Sequence, residues 1–375
     1  MIRVLEVNVD DNGYGGVYAF VLNILENIGK EFQIDLCSFE KFEKQSNIDY
    51  VESFGGKVHY CGHPGSLFTK QKGCLDNLRK LVKEEHYDVV HIHSDVSYKL
   101  VLYALAAKAG GAKKILIHSH SSGVEGKHRR TKLMLQHVAK RLIPYVANQF
   151  LACSQKAAEW MYPQRILNGT RFALINNGIN VEKFAFDPAV RTEMRKELGL
   201  EDNFVIGHVG RFSYQKNHSF LINIFKEVVA INPKAKLLLI GSYVGDPVYL
   251  NETKNQVKDF GLEDNVLFMG LRNDVPRLMQ AMDCFLLPSR FEGLCFVGVE
   301  SQAAGLPSFF SDTITKELQI TDLAHFISLE TSTEKWAKII LKDSKISRRD
   351  MQEAITAAGY DIKYEIRKLM QDYKS

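Results

Sequence analysis

The 375-residue chain has no run of 18 or more apolar residues, so no membrane-spanning helix is expected. Its opening residues, Met1-Ile2-Arg3-Val4-Leu5-Glu6-Val7-Asn8, lack the basic start, long apolar stretch and small-residue cleavage site of a signal peptide. A cytoplasmic location is therefore expected. Cysteine is sparse: Cys37, Cys61, Cys74, Cys153, Cys284 and Cys295 contain no C-x-x-C pair. That spacing argues for reduced, buried or incidental thiols and against zinc. The glycines of Asp10-Asp11-Asn12-Gly13-Tyr14-Gly15-Gly16-Val17 do not make a G-x-G-x-x-G pattern, and no Gly-Lys-Ser/Thr follows them. Nicotinamide and ATP binding are thereby disfavoured. No low-complexity tract or short repeat is present.

What is there is an ordinary globular composition, 45% hydrophobic and 25% charged. The length suits two domains rather than one core. The net charge of +4 is unevenly spread. Residues 1–50 carry four Lys/Arg and nine Asp/Glu, or −5, whereas residues 101–171 carry twelve and two, or +10. Such a basic zone suits phosphates, nucleic acid or an anionic membrane surface.

Apolar runs alternate with amphipathic helical stretches. Ile2–Val9, Ile34–Ser38, Lys57–Tyr60, Val89–His93, Lys114–His118 and Gln149–Ala152 read as buried strands, with helical spacing at Val17–Ile28 and Cys74–Glu84. The pattern restarts with strands at Val205–Gly210, Lys236–Ile240, Val266–Met269, Cys284–Pro288 and Ser308–Phe310. Helical stretches at Ser219–Ile231 and Val275–Met282 separate them. Two doubly wound parallel sheets in series follow from that alternation. The turn-rich Asn176-Asn177-Gly178-Ile179-Asn180 marks the junction, giving domains 1–180 and 181–356. Ile355, Ala358, Ile362, Ile366 and Met370 predict one terminal amphipathic helix, assigned to 357–375 and expected to pack back on the first domain.

The chemistry concentrates at predicted strand ends. After Pro288 comes Ser289-Arg290-Phe291-Glu292-Gly293-Leu294-Cys295-Phe296-Val297-Gly298-Val299-Glu300, a loop running into a helix that Gly305-Leu306-Pro307 ends. Open α/β sheets bind ligands at such loops, and backbone N–H groups at a helix start receive phosphate oxygens. Glu292 and Glu300 could face one crevice, where a carboxylate accepts from a vicinal diol. The plainer alternative has Glu292 capping a helix and Glu300 on the surface. In Gly210-Arg211-Phe212-Ser213-Tyr214-Gln215-Lys216, two cations precede a helix, which suits a diphosphate or simply a solvated loop.

His91 and His93 end one strand and His118 and His120 the next, each pair on one face. Four imidazoles could bind a metal, but no acidic or cysteine ligand is seen to cluster with them. One histidine touching a polar ligand, with the others structural, is the expectation. Residues 127–143 read as a basic amphipathic helix, suited to an anionic membrane or to packing on its own domain.

Together these stretches resemble the retaining glycosyltransferases of family 4, with GT-B architecture. The matching residues are Gly15-Gly16, Asp88-Val89-Val90-His91-Ile92-His93, His118-Ser119-His120, Cys153-Ser154, Ile175 to Asn180, Gly210-Arg211 with Lys216, and Pro288-Ser289 through Gly305-Leu306-Pro307. Glu292 and Glu300 have the spacing of the family's E-x7-E motif. His118 to Ser122, the basic helix, and Cys153 to Met161 are similar to the capsule and exopolysaccharide enzymes of that family.

The resemblance implies two Rossmann-like domains facing each other across a cleft. It implies that Arg211 and Lys216 bind the donor diphosphate and that Glu300 holds the ribose hydroxyls. Glu292, with backbone from Gly293 through Leu294 and Cys295 to Phe296, would bind the transferred sugar and phosphate. His120 would sit beside the donor sugar and Gly16 near the reaction centre. His120, Glu292, Arg211 and Lys216 would form the catalytic set. No metal is implied, and no Asp-x-Asp is present; Asp10-Asp11 lies in a different loop. Cys295-Phe296 and Ser301 depart from the family's usual residues, the first two within the sugar pocket.

The implied reaction moves a hexosyl unit from a nucleotide sugar, UDP-linked by expectation, to a glycan or lipid-linked saccharide. The resemblance favours retention through front-face displacement, and the sequence shows no evident carboxylate for a covalent intermediate. Expected partners are the donor, the acceptor and an anionic membrane at residues 127–143, without nucleic acid. The rivals are a UDP-sugar epimerase of the same fold and a non-catalytic nucleotide-binding subunit.

Overall fold

The computed structural model describes residues 1–11, 16–121, 123, 129–292 and 294–374. These divide into two compact units. Unit 1 comprises Met1–Gly178 with Ile362–Ser375, and unit 2 is Ile179–Asp361.

Unit 1 holds a seven-stranded sheet of β1 (Ile2–Val7), β2 (Phe32–Ser38), β3 (Val58–Tyr60), β4 (Val89–Ser94), β5 (Lys114–Ser119), β6 (Gln149–Ala152) and β7 (Phe172–Leu174). Their spatial order is β3-β2-β1-β4-β5-β6-β7, and the pairings among the described residues are parallel. The central strands are buried on both faces, which accounts for their near-continuous apolar runs: all six residues of β4 are buried. The chain order reverses between β1 and β4. The carboxyl ends of β1, β4 and β5 therefore meet where such sheets take ligands.

Unit 2 repeats the plan with β8 (Phe204–Val209), β9 (Ala235–Ile240), β10 (Val266–Gly270), β11 (Cys284–Leu287), β12 (Ser308–Ser311) and β13 (Ala324–Ile327), ordered β10-β9-β8-β11-β12-β13. The reversal here lies between β8 and β11. A core of Leu221, Phe225, Leu237, Leu239, Phe309 and Trp336 fills one side of the sheet. Burying each of these large side chains contributes about 1.5–3 kcal/mol.

Two edge strands, β7 and β13, were missed in the sequence. They are three and four residues long and mostly half-buried, and so short a run does not separate strand from helix. The single terminal helix is also corrected. It is two helices, Gln352–Ala357 and Ile362–Lys374, and the expected start at 357 moves to Ile362. Gly359 between them has φ +82°, a left-handed geometry that ends a helix. The apolar spacing continues across the break because both pieces bury one face, which is why periodicity alone did not reveal it. The later helix belongs to unit 1 and carries Tyr373 into the sheet.

Gly305 closes the helix Phe296–Ala303 at φ +69°, and a Cβ there would run into the Arg349 carbonyl oxygen. Gly305→Ala should cost about 1–3 kcal/mol. The check is a lower urea midpoint at unchanged slope; an unmoved midpoint would mean that the backbone yields freely.

Candidate functional site

The unit 2 site is made by two loops, one after β8 and one after β11. Asn217 takes a left-handed conformation, φ +58°, which asparagine tolerates better than most residues. Its Nδ2 donates to the Pro288 carbonyl at 3.1 Å, and the Arg290 backbone N–H donates to the Gln215 carbonyl at 2.8 Å. Those two bonds clamp the loops together. Gly241 holds the first loop from the other side: at φ +148° its Cα lies against the Gly210 carbonyl, where a side chain would not fit.

Within this clamp Lys216 Nζ meets Glu292 Oε1 at 2.7 Å, with side chains 14% and 8% exposed. Ser289 Oγ donates to the same oxygen at 2.9 Å, and Gln215 Nε2 donates to Oε2 at 2.8 Å. Burial alone would lower the Lys216 pKa, but Glu292 outweighs it and holds the ammonium above its ordinary value. Glu292 does not cap the following helix. That helix begins at Phe296, with Cys295 preceding it and no side-chain cap. Sequence reasoning missed Gln215 and Ser289, whose role depends on a contact between loops about 75 residues apart in the chain.

Glu300 lies half-buried on the helix rather than on open surface, and burial pushes its carboxyl up to about 7 against the opposing pull of Lys216. Arg211 is exposed, and its guanidinium makes no ion pair among the described residues. Leu294 and Phe296 are buried. Burial pushes the Cys295 thiol up to about 12, so it is protonated and inert at neutral pH. Gly293 lies outside the described residues. His218 opens the helix His218–Ile231, stacks on Phe212 at 4.3 Å, and has no hydrogen-bond partner for either ring nitrogen among the described residues.

In unit 1, His91, His93 and His118 are fully buried at the ends of β4 and β5, with His120 one residue beyond. The expectation that no acidic residue joins them is corrected. Glu6 on β1 is paired in register with His91, is fully buried, and lies 2.6 Å from His93 Nε2 and 3.0 Å from His91 Nδ1. It was invisible in the sequence because it sits 85 residues upstream and reaches the histidines only through the β1–β4 adjacency. Burial raises the Glu6 carboxyl, but the two imidazoles outweigh it and hold it well below the usual carboxylate range.

Ligand atoms of His91, His93 and His118 lie within 4.8 Å of one another. A tetrahedral metal with nitrogen ligands at 2.0–2.1 Å would hold them about 3.3 Å apart. A shared ion would require the set to contract. Asp11 is consumed structurally, accepting from Glu43 N at 2.7 Å and Asn47 Nδ2 at 2.7 Å. Gly16, exposed, opens the helix Gly16–Asn27; Asn12 to Gly15 lie outside the described residues.

The helix Arg129–Leu142 covers most of the expected basic helix, of which Lys127 and His128 lie outside the described residues. It docks on unit 1 through Gln136, whose side-chain carbonyl accepts from Ser97 N at 2.6 Å. Met134, Val138 and Leu142 recur every four residues and are 65%, 55% and 50% exposed. Among the described residues no helix is long and apolar enough to cross a membrane.

Two Rossmann-like parallel-sheet domains are the architecture of the GT-B class of sugar-transferring enzymes. HepE of Anabaena, solved with UDP-glucose, superposes with a TM-score of 0.79 over 99% of this chain and 100% of its own, at 20% identity. Residues 14–183 match the model for Glycosyltransferase Family 4, and residues 190–359 match that for Glycosyl transferases group 1. The chain belongs to this family of glycosyltransferases. EpsF of Bacillus subtilis, whose name places it among glycosyltransferases, is 29% identical over 99% of this chain and 96% of its own length. The capsular polysaccharide biosynthesis glycosyltransferase CapH of Staphylococcus aureus is 22% identical over 100% and 99%. An Escherichia coli enzyme named as UDP-Gal:α-D-GlcNAc-diphosphoundecaprenol α-1,3-galactosyltransferase is 30% identical over 66% of this chain and 63% of its own.

The raised Glu300 pKa gives a stability signature. Its carboxyl ionises near pH 7 in the folded protein and near the ordinary 4.5 when unfolded. The native state therefore bears the cost of a buried charge above pH 7, and that cost vanishes as pH falls toward 4.5. Glu300→Gln should raise the melting temperature at pH 8, with the gain fading between pH 7 and 4.5. A gain that is flat across this window would contradict the assignment.

Proposed function

We propose that the protein transfers a hexosyl unit from a UDP-sugar to a lipid-linked saccharide or glycan, with retained configuration, in capsule or exopolysaccharide biosynthesis. The observation that carries the reading is the buried Lys216–Glu292 pair beside exposed Arg211 and half-buried Glu300, at the strand ends where unit 2 reverses. Lys216 and Arg211 would neutralise charge growing on the departing diphosphate. Glu300 would accept the ribose diol, and Glu292 with the backbone of Gly293 to Phe296 would hold the transferred sugar. His120 and Gly16 are the unit 1 residues that the family resemblance assigns to the donor sugar and the reaction centre. The reading calls for no metal, because side-chain cations carry the diphosphate charge.

The names of the relatives support the donor and acceptor classes. The Escherichia coli enzyme is named for a UDP-galactose donor and a diphosphoundecaprenol acceptor, and the Staphylococcus aureus proteins for capsule biosynthesis. A UDP-sugar epimerase of this fold would convert donor with no acceptor. Incubating the protein with UDP-glucose or UDP-galactose, with and without a polyprenyl-diphosphate saccharide, separates the two. Product that forms only with acceptor, and whose new linkage keeps the donor's anomeric configuration by NMR, is the expected result. Epimerised UDP-sugar formed alone would overturn the proposal.

Arg211 offers the cleaner mutational test. Removing Lys216 strands a buried carboxylate and harms folding as well as turnover. Arg211→Ala should lower kcat/KM about 10²–10³-fold with little change in melting temperature. An unchanged kcat/KM would sink the diphosphate assignment.

The exposed apolar row Met134, Val138 and Leu142, flanked by exposed Arg141, supports peripheral binding to an anionic membrane. The protein should sediment with vesicles containing about one-third phosphatidylglycerol and less with pure phosphatidylcholine. Val138→Glu should reduce that binding without altering transfer to a water-soluble acceptor. Equal sedimentation of the two forms would remove the membrane assignment.

A further inference from the structure

The histidines at the ends of β4 and β5 form a directed chain that starts at Glu6. An ionised carboxylate only accepts hydrogen bonds. Tyr373 therefore donates its hydroxyl hydrogen to Glu6 Oε1 at 2.6 Å, and His93 donates Nε2–H to Glu6 Oε2 at 2.6 Å. His91 Nδ1–H donates in turn to the Tyr373 hydroxyl oxygen at 2.8 Å. A neutral imidazole carries a single N–H, so His93 Nδ1 is bare. It faces His120 Nε2 at 2.8 Å and must accept from it. His120 then holds its proton on Nε2 and presents a bare Nδ1. Phe20 packs against His93, His118 and His120 with ring centres 6.0, 5.0 and 5.5 Å away, which keeps the rings from swinging. Burial supports the neutral forms: it drives His93 down to about 4 and, with the neighbouring imidazoles, His120 well below its ordinary value.

We infer that Glu6, His93 and Tyr373 are positioning residues that fix the tautomer of His120, so that its Nδ1 accepts a hydrogen bond from a hydroxyl of the donor sugar. The inference rests on the proposed placement of His120 beside that sugar. It also narrows the sugar. A bare nitrogen welcomes an O–H and repels a carboxylate, so a hexose fits where a hexuronic acid does not. Tyr373 gives the helix Ile362–Lys374 a part in this, since its hydroxyl occupies Glu6 Oε1 and leaves Oε2 for His93.

Glu6→Gln is the primary test. An amide offers one acceptor oxygen and two N–H groups, so it cannot accept from His93 and Tyr373 on opposite sides as the carboxylate does. If His93 yields, its proton moves to Nδ1 and forces the His120 proton from Nε2 to Nδ1. With 15N-histidine-labelled protein, the His120 ring shifts should report Nε2–H in the native chain and a move toward Nδ1–H in Glu6→Gln. Native shifts that report Nδ1–H on His120 overturn the inference. With a UDP-hexose, kcat/KM should fall about 10–100-fold in Glu6→Gln, the range typical of losing the partner that orients an imidazole. Tyr373→Phe, which keeps the carboxylate and its His93 bond, should lose less.

The same substitution made in a His120→Ala background should add no further loss, because its effect passes through His120. Additive losses would indicate a merely structural Glu6 and overturn the inference. Should His120→Ala alone leave transfer intact, the donor placement of His120 fails, and the ring shifts still decide the tautomer chain. If Glu6→Gln does not fold, His93→Asn and His93→Leu replace it. Asparagine Oδ1 stands near the position of Nδ1 and should preserve the His120 tautomer and transfer, while leucine should lose both. Equal behaviour of the two variants would refute the chain.

Discussion

A carboxylate withdrawn from water costs several kcal/mol unless donors surround it, and each unit of this protein is organised around one such group. In unit 1 it is Glu6, fully buried among His91, His93 and Tyr373. In unit 2 it is Glu292, held by Lys216, Gln215 and Ser289. Both lie at the carboxyl ends of central parallel strands, where chain order reverses and neighbouring loops splay apart. That geometry leaves room for polar groups without opening the sheet. The donors for each carboxylate come from separate segments, so the electrostatic requirement also ties distant parts of the chain together. Tyr373 does this in unit 1 across 367 residues and Lys216 in unit 2 across 76.

The ease of reading the sequence followed the range of the interactions. Central strands declared themselves through unbroken apolar runs, because burial on both faces leaves no alternation to dilute them. The spacing of Glu292 and Glu300 was local, and so was the pairing of His91 with His93. The family resemblance rested on such short stretches in order. By contrast, Glu6 reads as one acidic residue in an apolar strand. Its meaning depends on β1 lying beside β4, which only the completed sheet supplies. Gln215 and Ser289 were hidden for the same reason. Strands β7 and β13 stayed hidden because runs of three and four residues are too short for periodicity to tell strand from helix. The break at Gly359 was masked by a periodicity that survives it.

The two sites spend stability in different ways. Glu292 is fully compensated, and its pairing with Lys216 makes the loops rigid. Among the described residues Glu300 has no hydrogen-bond donor, only the field of Lys216, and burial raises its pKa to about 7. A group left under-satisfied near neutral pH is waiting for a partner, and a vicinal diol supplies two O–H donors. His118 and His218 carry a related cost, since neither has a ring-nitrogen partner among the described residues. Each such buried nitrogen costs on the order of 1–3 kcal/mol. Both sit beside the compensated pairs, which suggests that the fold tolerates polar strain where ligand or solvent can relieve it.

A covalent route to retained configuration would need a free nucleophile in unit 2. Glu292 is occupied on both oxygens by Lys216, Ser289 and Gln215. Cys295 is nearby, but its thiol is pushed up to about 12 and supplies almost no thiolate at neutral pH. Glu300 is partly protonated at neutral pH and, on the proposed reading, holds the diol. What remains within the described residues of the site is an arrangement of cations and backbone suited to holding a diphosphate while its bond to the sugar stretches. On the proposed reading, catalysis then resides in position and charge. The demand for precision shifts to groups that touch the sugar directly, and this is why the proton on His120, set two hydrogen bonds away by Glu6 and three away by Tyr373, matters to the choice of donor.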